Sequence, residues 1–320
     1  MADPKSAIRN PPSDIPWSRK DLLGIRELSV AELVHILDTA AAFKEVGQRT
    51  IKKVPALRGL TLVNFFVESS TRTRTSFELA AKRLSLDVVN VTAAASSLVK
   101  GETLKDTAHI FQANGADIIV MRHSSAGAAH FLSTRLASSI INAGDGAHEH
   151  PTQALLDTFT IREKLGRVAG LNVVILGDIL FSRVARSNIH ALVKLGADVR
   201  VVGPPTMMPC GVDKLGARVY YNFDEALCGV QVIMMLRLQL ERQGIALFPT
   251  IREYARLYGL TAERVKLADS GAIVMHPGPI NRGVEIAPEV ADSLSSVILD
   301  QVANGVAVRM GILYLLSGAN

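Results

Sequence analysis

Two cysteines in 320 residues, Cys210 and Cys228, are too few for a disulfide framework, so the chain reads as one suited to a reducing compartment. The most apolar stretches, residues 60–67 and 230–236, are strand-sized and fall well short of the ~18 residues that cross a bilayer. The N-terminal sequence MADPKSAIRNPPSDIPWSRKDLL has no continuous apolar core of the kind an export signal carries. A cytoplasmic protein with no membrane contact is the expectation. Aromatic residues are only 5%, and the surplus of five positive charges is scattered, with no basic run of five or more. A stripe that tracks nucleic acid by charge and stacking is therefore absent, and small anionic ligands account better for the surplus. No GxxxxGK[ST] or GxGxxG string occurs, which argues against a nucleotide P-loop and against NAD.

A chain of this length fits two domains at roughly 150 residues each. Its hydrophobic share of 48% against 20% charged residues excludes extensive disorder. Residues 1–20, rich in Pro, Ser and Asp, read as an irregular arm, and a helix begins near Val30. Short aliphatic runs then alternate with helical patterns, the signature of βα units in parallel sheets. The runs are 60–67, 87–91, 117–121 and 138–143 in the first half, and 171–176, 198–202, 217–221, 230–236 and 272–275 in the second. The segments NGADIIVMRH and LGADVRVVGP echo each other as a helix end, a glycine just past it and a buried strand. Residues 151–166 read as a helix joining two lobes, and 293–316 as a final helix able to return to the first lobe.

The unusual polar clusters begin where these runs end. NFFV leads into ESSTRTRTSF, IIVM into RH, IINA into GDGAHEHPTQ, VVIL into GDILFSRVARSN, VIMM into LRLQLER, and AIVM into HPGPINRG. In open α/β sheets ligands bind outside the carboxyl ends of the strands. The expected fold is therefore α/β, with two doubly wound parallel-sheet lobes and the active site in the cleft between them.

In SSTRTRTS, hydroxyls and helix N-terminal amides stand beside Arg72 and Arg74, a donor set suited to phosphate. The same string also fits a plain N-cap with a solvated first turn. Arginine at a helix N-terminus opposes the dipole, which favours a bound anion. His150 and Gln153, three apart at a helix start, could together bond a planar amide-like group, although a lone histidine there is also a simple cap or core residue. The GAHEH tract is ligand-poor, and no metal is expected. Arg183, Arg186, Arg237, Gln239 and Arg242 near strand ends suit a ligand with more than one carboxylate, with ordinary surface ion pairs as the alternative.

These motifs, in this order from about residue 20 to the C-terminus, resemble the carbamoyltransferases. LRLQLER and HPGP are similar to the branch that accepts L-aspartate, where an ornithine enzyme would carry SMG- and HCLP-type segments. The resemblance implies transfer of the carbamoyl group from carbamoyl phosphate to the amino group of L-aspartate, early in pyrimidine synthesis and without a cofactor. It places Ser70, Thr71, Arg72 and Thr73 on the phosphate, Arg122 between phosphate and carbonyl oxygen, and Thr73 and His150 on that oxygen. Gln153 and the carbonyls of Pro277 and Gly278 would orient the carbamoyl nitrogen, and Arg183, Arg237 and Gln239 the aspartate carboxylates. Ser96 and Lys100 would reach a neighbouring subunit's site, both on carbamoyl phosphate and Lys100 also on aspartate, which implies a homotrimer with shared sites. A separate regulatory chain or a dihydroorotase could join a larger assembly. Glu68 is expected to pair with Arg183 and Arg242 on domain closure. By the same resemblance, residues 1–151 with 304–320 would bind carbamoyl phosphate and 152–303 aspartate. Val184 replaces a threonine of some relatives, so only its backbone could meet aspartate; Val67 and Ser69 also depart from common forms.

Overall fold

Each of the nine aliphatic runs becomes a strand. The computed structural model describes residues 16–92, 101–239 and 247–318. They belong to two units, Met1–Leu156 with Ala303–Asn320, and Asp157–Val302. The first unit contains α1 (Val30–Gln48), β1 (Thr61–Phe66), α2 (Thr71–Arg83), β2 (Asp87–Thr92), α3 (Leu104–Ala113), β3 (Ile118–His123), α4 (Ala128–Ser133) and β4 (Ser139–Asp145). Helix α5 (Pro151–Leu165) runs across the boundary. The second unit continues with β5 (Asn172–Leu176), α6 (Arg183–Lys194), β6 (Asp198–Val202), β7 (Arg218–Tyr220), α7 (Phe223–Leu227) and β8 (Val232–Met235). After it come α8 (Ile251–Tyr258), α9 (Ala262–Val265), β9 (Ile273–Met275) and α10 (Pro288–Ala291), and α11 (Ile298–Leu316) carries the chain back. No helix among the described residues is long and apolar enough to cross a membrane.

Both sheets are parallel, in the orders β2-β1-β3-β4 and β7-β6-β5-β8-β9. Side chains alternate across a strand, so a run that is apolar at every position needs cover on both faces. In the second unit Val173, Ile175, Val201, Val232 and Met234 pack on one side with Ile189 and Leu192 of α6. Val174, Leu176, Val202, Ile233 and Met235 pack on the other with Phe223 and Leu227 of α7. In the first unit Val63, Phe65, Ile119, Met121 and Ile140 pack with Ala129 and Leu132 of α4. The β4 edge is covered by the N-terminal segment: Leu22 N–H donates to Ile140 O at 2.9 Å, and Asn142 N–H to Leu22 O at 2.9 Å.

The paired glycines of the sequence echo lie just past α3 and α6, with φ of +84° at Gly115 and +82° at Gly196. A left-handed residue is what ends a helix and turns the chain into a strand, and glycine adopts it without a Cβ penalty. The last helix starts at Ile298 rather than Ser293. Residues 295–297 instead border β9: Val274 N–H donates to Ser295 O at 2.8 Å and Val297 N–H to Val274 O at 2.9 Å. Those bonds commit the segment to the sheet edge and delay the helix.

Helices α5, α6 and α11 meet around Asp157, which is fully buried. Its Oδ2 accepts from Asn188 Nδ2 at 2.8 Å and its Oδ1 from Gln301 Nε2 at 2.7 Å. Gln301 Oε1 in turn accepts from His276 N–H at 2.9 Å, at the end of β9. A surface pair, Lys164 Nζ to Asp300 Oδ1 at 2.8 Å, joins the same helices α5 and α11. Asp157→Ala should cost about 2–4 kcal/mol, because it leaves buried amide donors without their acceptor. Asp300→Ala should cost at most about 1 kcal/mol. Urea-unfolding midpoints of the two variants check the contrast.

Candidate functional site

In each sheet the strand order reverses once, between β1 and β3 in the first unit and between β5 and β8 in the second. At such a switch point the connections leave to opposite sides, and the strand ends there open a crevice. Of the predicted site residues, Glu68, Ser70, Thr71, Arg72, Thr73 and Arg122 stand at the first of these points and Arg183, Arg237 and Gln239 at the second, while His150 and Gln153 follow the edge strand β4 and Pro277 and Gly278 the edge strand β9.

At the first switch point, Val67 N–H and Glu68 N–H both donate to Arg122 O, at 2.9 and 3.2 Å, so the loop after β1 leaves the sheet beside Arg122. Arg122 Nη2 donates to Glu68 Oε1 at 2.7 Å and Nη1 to Ala143 O at 3.3 Å. Glu68 thus has a partner inside its own unit, on the arginine assigned to phosphate. Ser70 is the N-cap of α2, its hydroxyl accepting from Thr73 N–H at 3.4 Å. The cap reading of SSTRTRTS therefore describes Ser70, and it leaves the anion reading standing. The first turn contains no acidic side chain, Arg72 is exposed and Thr73 is buried. Helix geometry directs the first amides outward from this end.

His150 and Gln153 are buried at the start of α5. The His150 carbonyl accepts from Gln153 N–H at 3.0 Å and Ala154 N–H at 3.3 Å, and its Nδ1 lies 3.5 Å from Thr152 Oγ1. The turn is fastened by Glu149, which the sequence reading does not single out. Glu149 is 2% exposed; Oε2 accepts from Ile25 N–H at 2.8 Å and Oε1 from Arg26 N–H at 3.2 Å. A Cβ on Gly24 would sit 2.6 Å from Glu149 Oε1, so a larger residue there would push this carboxylate off the amides it holds. A glutamate between two histidines in a strand-end turn was the available signal.

At the second switch point Arg183 opens α6, buried, behind the N-cap Ser182, whose hydroxyl accepts from Ala185 N–H at 3.1 Å; no acidic residue lies in that first turn. Arg237 and Gln239 follow β8, and Gln239 Nε2 donates to Phe181 O at 3.3 Å, which ties the loop after β8 to the loop that carries Arg183. Arg186 is half-buried on α6. Val184 packs against the core, and its carbonyl accepts from Asn188 Nδ2 at 3.1 Å. Pro277 and Gly278 follow β9, the neighbour of β8. Their loop rests on a buried pair that the sequence reading also misses. His276 Nδ1 accepts from Gly278 N–H at 2.8 Å, which leaves the proton on Nε2, 3.2 Å from Glu285 Oε1. That oxygen also accepts from Asn281 N–H at 2.6 Å. Ser96, Lys100 and Arg242 lie outside the described residues.

His123, next to Arg122, shows how this turn depends on pH. Burial lowers the His123 pKa, against the pull of Glu68 and Asp145, and the neutral Nδ1 accepts from Ser125 N–H at 2.9 Å. A native pKa below the ordinary 6.5 means that this contribution to stability is complete above that value and is lost as pH falls toward and through the native pKa. His123→Asn should therefore flatten the fall in unfolding midpoint between about pH 7.5 and about pH 5. An unchanged slope in the variant would refute the assignment.

Comparison with known proteins agrees for both units. Residues 20–163 match the carbamoyl-P binding domain of aspartate/ornithine carbamoyltransferase, and residues 169–316 match the Asp/Orn binding domain. The aspartate carbamoyltransferase catalytic subunit of Syntrophotalea carbinolica is 60% identical over 302 residues, spanning 94% of this chain and 96% of its own. Aspartate transcarbamoylase of Trypanosoma cruzi, solved in complex with carbamoyl phosphate, superposes with a TM-score of 0.84 at 31% identity, covering 94% of this chain and 98% of that one. Ornithine carbamoyltransferase of Pyrococcus furiosus superposes with a TM-score of 0.83 at 30% identity, covering 94% and 98%. With both of its domains matched in order, this chain is a member of the aspartate/ornithine carbamoyltransferase family.

Proposed function

We propose that this chain is the catalytic chain of an aspartate carbamoyltransferase, which forms N-carbamoyl-L-aspartate and phosphate from carbamoyl phosphate and L-aspartate in the cytoplasm. The observation that carries the choice of acceptor is the second switch point. Two arginines and a glutamine stand there, Arg183 at a helix start with no acidic residue in its first turn. That donor set suits a dicarboxylate and opposes a cationic amine. The 60% identity to a named aspartate enzyme supports the same choice, since backbone similarity alone is equal for the two acceptors.

In this reading the first unit binds carbamoyl phosphate and the second binds aspartate. Ser70, Thr71, Arg72 and Thr73 hold the phosphate at the N-terminus of α2, where dipole and guanidinium charge act together. Arg122, Thr73 and His150 donate to the carbonyl oxygen as negative charge develops on it, a preorganised set of the kind that stabilises oxyanions. Glu68 holds the Arg122 guanidinium before substrate arrives. Gln153 and the carbonyls of Pro277 and Gly278 fix the carbamoyl NH2, so the carbonyl faces the attacking amine. Arg183, Arg237 and Gln239 fix the two aspartate carboxylates.

The neutral amine attacks the carbonyl carbon, the C–N bond forms and the C–O bond to phosphate breaks. The departing phosphate takes up the amine proton, so no strong side-chain base is required. Ser96 and Lys100 complete the site of an adjacent copy in a homotrimer.

The test is product formation by purified protein with carbamoyl phosphate and either L-aspartate or L-ornithine. Turnover with aspartate alone is expected; turnover with ornithine alone, or with neither in folded protein, overturns the reading. Arg237→Ala should raise the KM for aspartate about 10- to 100-fold, as loss of a charge-assisted bond predicts. Arg72→Ala should weaken carbamoyl phosphate instead.

A further inference from the structure

Helix α4 and the turn after β4 bring together three side chains that the transfer reaction leaves unused. One ring nitrogen of His130, one of His148 and a carboxylate oxygen of Asp145 lie within 4.8 Å of one another. We propose that His130, Asp145 and His148 bind one divalent transition-metal ion of the zinc class, which fastens α4 to the turn leading to His150.

The donor chemistry selects the ion. Two imidazoles and one carboxylate are a borderline ligand set, matched to zinc or cobalt rather than to magnesium or calcium, which take oxygen ligands. Three protein ligands leave a fourth position for water. Bonds of about 2.0–2.2 Å place tetrahedral ligand atoms a little over 3 Å apart. His148 Nδ1 already lies 3.1 Å from Asp145 Oδ2, so the remaining adjustment falls on His130.

The surroundings are those that orient metal ligands. Glu27 Oε1 is 2.9 Å from His130 Nε2, a carboxylate–histidine pair that keeps the proton on Nε2 and the lone pair on Nδ1. Among the described residues, that Nδ1 is buried with no hydrogen-bond partner. The Asp145 side chain is 2% exposed and held in place: Oδ2 accepts from Gly127 N–H at 2.6 Å, and Oδ1 from Asn142 Nδ2 at 2.8 Å and Glu149 N–H at 3.1 Å. The two imidazoles are about one-third exposed, which gives an ion a path from solvent. On binding, the proton that His148 Nδ1 directs at Asp145 shifts to Nε2, and the freed lone pair takes the ion. The GAHEH tract looks too poor for a metal only because its third ligand, His130, comes from α4, earlier in the chain.

The full chain, stripped with a chelator, is dialysed against micromolar Co2+ or Zn2+. Bound metal is then measured per chain, and the Co2+ form is read by visible absorption. One equivalent with a tetrahedral cobalt spectrum is expected. His130→Ala should abolish both, Glu27→Gln should weaken binding about 10- to 100-fold, and Cys210→Ser with Cys228→Ser should change neither. The proposal is overturned if the parent chain retains no ion, or if folded His130→Ala retains it with the same spectrum. Should His148→Ala fail to fold, the variant at the partly exposed His130 still decides the matter. These readouts are independent of carbamoyl transfer, so the two readings stand or fall separately.

Discussion

The constraint on which the rest depends is the handedness of parallel crossovers. A strand, a helix and the next parallel strand connect in a right-handed sense, so a sheet that grows in both directions from its first strand must send successive helices to opposite faces. Each sheet here does so once, at β1/β3 and at β5/β8, and at those points the outgoing chain segments separate. The cores described by alternate strand residues fill both faces, which forces ligand chemistry to the strand ends. Helix N-termini α2 and α6 stand there by construction, and each begins with a serine cap and an arginine in its first turn.

Around those ends the chain spends buried polar groups on holding loops in place. Glu149 accepts two backbone amides from the N-terminal segment and so fixes the turn that presents His150. Glu285 and His276 do the same for the loop of Pro277 and Gly278. Asp157 and Gln301 extend the second support through three helices. A buried carboxylate is costly unless it is bonded, and these are bonded to groups whose positions matter. What these acids provide is placement of the loops that follow the strands.

The fold was legible because the evidence for it is local. Continuous Val, Ile and Leu runs such as VVIL and VIMM mark strands buried on both faces, and Gly115 and Gly196 punctuate them. The clustering of SSTRTR, Arg122 and HPTQ after strands was legible for the same reason. The supports were not, because Glu285 and Gln301 gain their meaning only when the sheet and α11 bring distant residues together. Ser293 to Val297 misled for a related reason: its pattern suits a helix, and its bonds to Val274 in β9 override that preference. Glu68 joins Arg122 through a sheet register that strand periodicity does not reveal.

The return of α11 to the first unit has a consequence for how the chain acquires its structure during synthesis. Arg309 Nη1 donates to Ser76 Oγ at 3.1 Å on α2, and its guanidinium lies 5.1 Å from the centre of the Phe77 ring. Val308, Met310 and Leu313 are fully buried in the same closing segment. The second unit is thus an insertion within the first. A ribosome releases all of it before the residues that brace helix α2 have emerged. Domains fold as units in the order their segments become available. The N-terminal unit must therefore wait, incomplete, while the later-translated unit can finish, so the order of maturation inverts the order of translation.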